Sequence, residues 1–559
     1  MKKSLIYIFV ITSIIFISFA IANADMNNNT ENILIENKVI KKIISEHNFI
    51  GVNSFDDCEL NRNFLLNPVQ MNLFGNLLKD LNIDFIRYPA GLNVSAAFWD
   101  VPTKDIQEAL RKLPKSEQCF MSSKSKIPND RWDFLSFIKF CKKNGIKADI
   151  QVNTHNWFDK DNREMILLKE YERTPDGKRI PNTGRVNWKL VNKAADYATL
   201  QLKWAKDNGY LNNVEYWELG NEEFAVNHFL NPGYTADEYA KVATIFIKKM
   251  TAVDPSIKFI LSGIVESDDY PYGNIFLKNY LNNWFITLLK NPELKNYKNN
   301  IFAVSIHIEG RLDENIGKFN FSDFLQENLK NPKLDVTKRI NFQRKLLDNE
   351  GYYNTKIFMN EFNSNNFLNK YMHTWISALG LSKMILSCVN NPTCYHADYH
   401  QLMHYFKNVS LGFGLVHYAR DFSDMPFIKY PSAYVVGLLN ENIKGDILKT
   451  TFNNKEIYAL TASDNDYIKV VILNTEKTRE ISLKLQNFRN LKYVANKSLG
   501  IDVPLDFTVM DEGDSMTSPS EVRLLNVLDN AIQVKNNNGD FKINLPANTL
   551  SVFIFKKSF

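Results

Sequence analysis

From about residue 48 to residue 440 the chain repeats one unit, a short apolar run followed by a longer amphipathic segment. Apolar runs bounded by turn residues read as buried strands, and a 3.6-residue period between them reads as helix. The strand-like runs are Phe49–Ser54, Phe85–Tyr88, Lys147–Asn153, Val214–Leu219, Lys258–Ser262, Phe302–His307, Lys356–Asn360 and Tyr395–Gln401, with Leu411–Tyr418 as an alternative for the eighth. Eight strand–helix units in succession predict an α/β fold, a closed (β/α)8 TIM barrel. Between them, Asp130–Asn144 and Asn192–Asp207 are expected as helices, the first stopped by Gly145. Thr235 is expected to cap a third helix whose first turn holds Asp237 and Glu238, and which runs to about Val253. Pro431 is expected to open the last barrel helix.

Beyond the barrel the pattern changes. Ile457–Ala462, Tyr467–Asn474, Glu480–Leu485, Ala531–Val534 and Leu550–Phe555 are strand-like and separated by Asn, Asp and Gly turns, which predicts a C-terminal all-β sandwich domain over 445–559. The barrel is expected over 48–444, and the segment 25–47 carries one strand-like run expected to complete the sandwich. A chain of 559 residues, 45% of them hydrophobic, is long enough to bury both cores.

The N-terminus reads as a signal rather than as fold. Met1-Lys2-Lys3 is positive, Leu5 to Ala20 is almost wholly apolar, and Ala22-Asn23-Ala24 has the small-x-small pattern of a cleavage site. Cleavage after Ala24 makes the expected product secreted or periplasmic, with no stable membrane span; an uncleaved anchor is the alternative. The net charge of +5 is small for this length and forms no basic stripe, so no nucleic-acid partner is expected. Oligomeric state is left open. Of the five cysteines, Cys388 and Cys394 flank a turn and are expected to close a small loop, Cys58 and Cys119 to pair across two loops, and Cys141 to stay a buried thiol. None stands in a CxxC pair, so no zinc or redox site is expected.

Two carboxylates stand out by position. Glu222, in Val214-Glu215-Tyr216-Trp217-Glu218-Leu219-Gly220-Asn221-Glu222, lies just past the C-terminal end of the fourth strand. Glu361, in Lys356-Ile357-Phe358-Met359-Asn360-Glu361, stands in the same relation to the seventh. In a (β/α)8 barrel all C-terminal strand ends open on one face, where active sites sit. Two carboxylates facing one bound group suit cleavage of a glycosidic bond: one attacks the anomeric carbon, the other protonates the leaving oxygen and then activates water. The acid needs a raised pKa, for which Trp217 or Trp157 is the expected apolar neighbour, and the nucleophile needs a nearby Arg.

The Trp217-to-Glu222 stretch resembles the acid/base motif of clan A glycoside hydrolases, which have their acid/base after strand four and their nucleophile after strand seven. Ile86-Arg87-Tyr88-Pro89-Ala90-Gly91 resembles the strand-two motif of the α-L-arabinofuranosidase and heparanase-like branches; Ser305-Ile306-His307 resembles their strand six. The resemblance implies a carbohydrate substrate, no cofactor and no metal. It implies that Glu222 is the acid/base and Glu361 the nucleophile, that Asn221 bonds the sugar hydroxyl next to the reacting carbon, that Arg87 keeps the nucleophile ionised and that His307 lies beside it. Ala90 stands where many arabinofuranosidases have Gly, and Glu309 where an aromatic often follows, which puts arabinose specificity in question. Asn153, Asn156 and Trp157, after strand three, are expected to line the sugar pocket, and His400 to lie near the substrate. His396, His400 and His404 recur every four residues, but no acidic metal-binding pattern accompanies them. The expected activity is retaining hydrolysis. A silent carbohydrate-binding protein and a transglycosylase on the same barrel are the alternatives.

Overall fold

The computed structural model describes residues 30–43, 47–54, 68–113, 133–172, 174–175, 180, 183–225, 233–263, 275–309, 334–364, 375–404, 414–418, 427–475, 477–488, 491–500, 526–527, 532–537 and 540–558. The expected signal segment, Cys58, Cys119, the Leu411–Phe413 part of the alternative eighth strand and most of 101–129 lie outside them.

Eight parallel strands close a barrel: Ile50–Asn53, Phe85–Tyr88, Lys147–Val152, Val214–Leu219, Phe259–Ser262, Ile301–Glu309, Lys356–Asn363 and Cys394–Tyr399, each beside its sequence neighbours and the last beside the first. Their residues are almost all buried, as expected for strands covered by the barrel core on one face and helices on the other. The eighth strand is the Cys394 run. Val416–Tyr418 belongs instead to a separate three-stranded sheet with Met403–His404 and Phe427–Lys429.

Helix ends follow side-chain chemistry. The Phe134–Asn144 helix starts where Asp133 accepts from the Ser136 N–H, and stops at Gly145 in the left-handed conformation with φ 69°. The next helix starts at Trp188, one turn before the expected Asn192, because Asn187 accepts from the Leu190 N–H. Thr235 and Glu238 form a reciprocal capping box for Ala236–Thr251, and Pro431 opens Pro431–Asn442.

The described residues outside the barrel form a second compact unit over 30–42, 445–500 and 526–558. Its ten-stranded sheet doubles over one core, because Ile33, Ile481 and Ile543 from one part pack with Val470, Ile472 and Phe553 from the other. The N-terminal strand Glu31–Ile43 joins this sheet parallel to Arg479–Gln486, with Ile33 opposite Leu483. The expected strand near Ala531 lies instead at Val534–Asn537, and Gly445–Phe452, Leu491–Gly500 and Asp540–Leu545 add strands the apolar pattern alone did not mark. Cys388 and Cys394 form a disulfide, and Cys141 is a buried free thiol. No described helix is long and apolar enough to cross a membrane.

Candidate active site

Side chains alternate faces along a strand, so every second residue of a barrel strand points inward. On strand two the inward pair is Phe85 and Arg87; on strand four it is Tyr216 and Glu218; on strand seven, Phe358 and Asn360. The aromatics pack in one cluster. The polar residues two positions on form the next layer. Arg87 is fully buried and uses its whole guanidinium. Nε and Nη2 donate to the two oxygens of Glu218 at 2.6 and 2.9 Å. Nη1 donates to Glu361 Oε1 at 2.6 Å and to Asn53 Oδ1 at 2.9 Å, and Nη2 also donates to Asn221 Oδ1 at 2.9 Å. Asn360 Nδ2 donates to Glu218 Oε1 at 2.9 Å, completing that carboxylate. A planar fork meeting a carboxylate at two points fixes direction as well as charge, which an ammonium does not do.

Glu361 therefore meets a cation whose orientation is already set. Burial works to raise its pKa, but His307, His400 and Arg87 outweigh burial and hold it down at about 2. His307 responds in the opposite sense. Burial works to lower its pKa, yet the Glu361 charge and the hydrogen bond to Glu222 raise it. Its Nδ1 stands between the two carboxylates, 2.9 Å from Glu222 Oε1 and 3.3 Å from Glu361 Oε2. One ligand atom from each of Glu222, His307 and Glu361 lies within 4.8 Å of the others. That spacing suits a metal ion, but the Arg87 guanidinium against Glu361 opposes a second cation there.

Glu222 is reached through an unusual backbone. Gly220 has φ 79° and Glu222 itself φ 48°, a left-handed conformation that costs a side-chain-bearing residue on the order of 1 kcal/mol. The turn lifts Glu222 out of the strand's alternation and over the mouth, with its side chain 23% exposed, beside His307. Ala90, after strand two, also has a positive φ, 78°, in a region that favours glycine. This gives a physical meaning to the departure noted there.

Of the expected site residues, the structure brings together Arg87, Asn221, Glu222, His307 and Glu361, with His400 close enough to Glu361 to depress its pKa. Asn153, Asn156 and Trp157 make contacts within and around their own loop. Asn153 Oδ1 accepts from the His155 and Asn156 N–H groups, and both Asn amides donate to the Ser95 carbonyl, which fixes the loop. Trp157 sits edge-on to Tyr197 and under the Lys193 ammonium. Trp217 alternates with Tyr216 and Glu218, so it faces away from the barrel interior and is not the acid's apolar neighbour. Glu309 ends strand six opposite Asn363, and its side chain lies outside the description. His396 is buried beside Asp398, 2.9 Å from its Oδ1, in the barrel interior. A cavity of about 40 Å³ lies beside strands two and three, lined by Tyr88, Gln151, Asn153, Tyr197 and Gln201; neither Glu222 nor Glu361 lines it. The residues that sequence reasoning missed are Asn53, Asp149, Glu218 and Asn360. Their signal was available, a polar residue at an inward position of a barrel strand.

No family model matches the chain. Among curated proteins, an intracellular exo-α-(1→5)-L-arabinofuranosidase of Acetivibrio thermocellus is 28% identical over 195 residues, 34% of this chain and 32% of that protein. A probable α-L-arabinofuranosidase C of Aspergillus fumigatus is 27% identical over 188 residues, 33% and 31% of the two chains. The chain thus matches about a third of the length of these relatives. Likeness of fold extends further. An α-L-arabinofuranosidase from Thermotoga maritima superposes with a TM-score of 0.62 over 94% of this chain and 100% of that one, at 15% identity. The chain has the fold of these glycoside hydrolases, a (β/α)8 barrel with a β-sandwich. The same architecture is shared with a monomeric β-xylosidase from Caulobacter crescentus, with a TM-score of 0.60 over 95% of this chain and 100% of that one, at 12% identity. The fold by itself therefore leaves the sugar open.

Proposed function

We propose that the protein is a retaining glycoside hydrolase in which Glu361 is the nucleophile and Glu222 the general acid/base. The observation that carries the reading is the trio at the mouth: an oxygen of Glu222 and one of Glu361 lie within 4.8 Å, with Glu361 ion-paired to Arg87. Retaining enzymes hold their carboxyls about 5–5.5 Å apart, and inverting enzymes about 6.5–9.5 Å apart to admit water. Glu361 Oε2, not engaged by Arg87, attacks the anomeric carbon as the bond to the leaving oxygen breaks, and Glu222 gives that oxygen its proton. Water then attacks the glycosyl ester, its proton passes to Glu222, and Glu361 leaves as carboxylate. His307 lies in contact with both carboxylates and responds to the charge of each.

The substrates are terminal or internal sugars of extracellular polysaccharide or glycoconjugates. The arabinofuranosidases it resembles make α-L-arabinofuranosides the first to try. An exported setting is supported by the N-terminal signal pattern and by the Cys388–Cys394 disulfide, a bond favoured in oxidising compartments. The test is a panel of 4-nitrophenyl glycosides (α-L-arabinofuranoside, β-D-xyloside, β-D-glucuronide) with NMR of the first-formed product. The expected result is turnover with retained anomeric configuration, abolished in Glu361→Gln with the melting transition preserved. An inverted first product, or full activity in that variant, overturns the assignment. Binding without turnover by the unmodified protein across the panel favours a silent lectin-like role, and glycosyl transfer to added methanol in preference to water favours a transglycosylase.

A further inference from the structure

A general acid works only if its proton is delivered along a fixed line, and the backbone that carries Glu222 is a loop start with two left-handed residues, Gly220 and Glu222 itself. The anchorage comes from the next residue. Glu223 is fully buried, unlike Glu222, and turns back beneath the end of strand four. Its Oε1 accepts from Thr154 Oγ1 and lies 2.9 Å from His155 Nε2. His155 Nδ1 in turn lies 2.6 Å from Ser95 Oγ. The Glu223 N–H donates to Ser262 Oγ at 3.2 Å, and its carbonyl accepts from the Tyr234 N–H at 2.9 Å. The Tyr234 hydroxyl donates to the Thr154 carbonyl at 2.9 Å, closing the ring of contacts. Gly220 completes the fit, because a Cβ there would lie 1.5 Å from Glu223 Oε1. Ser95, His155 and Glu223 are connected in the order of a nucleophilic triad, but all three have no exposed surface, so Ser95 meets no substrate. Their role is to hold.

We propose that Glu223 and His155 are positioning residues for Glu222, clamping the end of strand four to the loop after strand three so that the acid/base carboxyl is held in line with the leaving oxygen. This rests on the reading of Glu222 as acid/base. In forming the glycosyl-enzyme only the protonation of the leaving oxygen depends on the clamp; the later water step uses the same carboxyl, so the burst isolates the first step. A dinitrophenolate leaves without a proton, whereas an alkoxide needs one.

The experiment compares 2,4-dinitrophenyl and methyl glycosides of the sugar turned over in the panel, using wild type, Glu222→Ala, Glu223→Gln, His155→Gln and the milder Thr154→Val. For Glu223→Gln and His155→Gln, kcat/KM on the methyl glycoside is expected to fall about 10- to 100-fold. Formation of the glycosyl-enzyme from the dinitrophenyl glycoside, read as the burst, should stay within about threefold of wild type, as for Glu222→Ala. Thr154→Val shows the same split in smaller measure and serves if the Glu223 and His155 variants fail to fold. Equal losses on both substrates, or none on either, while Glu222→Ala keeps its split, overturn the clamp and leave the acid/base reading intact. Absence of a split in Glu222→Ala itself overturns both.

Discussion

At the floor of the barrel Phe85, Tyr216 and Phe358 pack with Ile260 and Ala303, Tyr216 stacking on Phe302 and Phe358 on Tyr395. Two residues further along the same strands, Arg87, Glu218 and Asn360 hold one another by directed hydrogen bonds. The strands, their twist and their burial are shared, so the difference lies in what each layer requires of a side chain. The floor requires volume and tolerates many shapes that fill it. The layer above requires particular donors and acceptors at particular points, because a buried charge left without its partner costs far more than a missing methyl group. The chemistry at the mouth thus stands on a rigid polar layer, and that layer on an apolar one.

The largest break in the comparison is expected at Arg87. Arg87→Met keeps much of the volume but strands Glu218, buried to 1% exposure, without its bidentate partner. Loss of one partner of a buried pair costs about 3–5 kcal/mol. Glu361 loses its cation in the same stroke, so hydrolysis should fail even below the melting transition. Arg87→Lys should not restore either property, because an ammonium has no fork. Denaturant unfolding of both variants checks this. Stability within about 1 kcal/mol of wild type in Arg87→Met would show that the polar layer behaves like the floor.

A smaller effect separates the layers by pH. Glu361 is held at about 2 against an ordinary value of 4.5. Its folded pKa lies below its unfolded one, so its contribution is fully present above about pH 4.5 and is lost as the pH falls toward 2; the scale is on the order of 3 kcal/mol. His307 is raised, so its contribution is present below about 6.5 and is lost as the pH rises through its folded pKa. Both act together between about pH 4.5 and 6.5. The stability gap between wild type and Glu361→Gln should therefore narrow on acidification below that window. Phe358→Leu, at the floor, should lower the whole curve by about 1 kcal/mol without changing its shape. A pH-independent gap for Glu361→Gln contradicts the charge network described for the mouth.

The two layers also differ in how far the sequence reveals them. Seven barrel strands were legible outright and the eighth only beside an alternative, because strands buried on both faces are largely apolar whatever their neighbours do. Glu222 and Glu361 were legible because a carboxylate just past a barrel strand has a known destination. Asp149 and Glu218 were not singled out, since a single acid inside an apolar run says nothing about its partners until the barrel brings Arg87 across to it. Asn153 and Asn156 were ambiguous for a related reason: an Asn after a strand serves equally to bond a ligand or its own loop, and here both amides also meet the Ser95 carbonyl. In the second unit Leu491–Gly500 hides because a bulge between Tyr493 and Ala495 breaks its alternation. Asp540–Leu545 alternates buried with less buried residues, yet it too went unmarked, because its apolar positions are few and stand among charged ones.

The finest distinction concerns Asp149, on strand three, opposite Arg87 in the sheet register. It has no exposed surface, and neither of its oxygens meets a hydrogen-bond donor among the described residues apart from a shared contact with the Glu218 carboxyl. Burial first, then the Glu218 charge, pushes its pKa well above the ordinary value, although Arg87 pulls the other way. Two carboxylates this close cannot both be charged at modest cost. Glu218 faces the guanidinium fork, and burial favours the neutral form of Asp149. A protonated Asp149 would donate to Glu218, and Asn is its nearest neutral isostere, with an N–H in place of the O–H. Asp149→Asn should change stability by less than about 1 kcal/mol and leave the pH–rate profile where it was. Asp149→Ala, which removes the donor and opens a void, should cost more. An infrared carboxylic-acid C=O band at neutral pH that vanishes in Asp149→Asn is the direct sign. A loss of several kcal/mol in the Asn variant would instead place a negative charge on Asp149, and with it a second anion that Arg87 must hold.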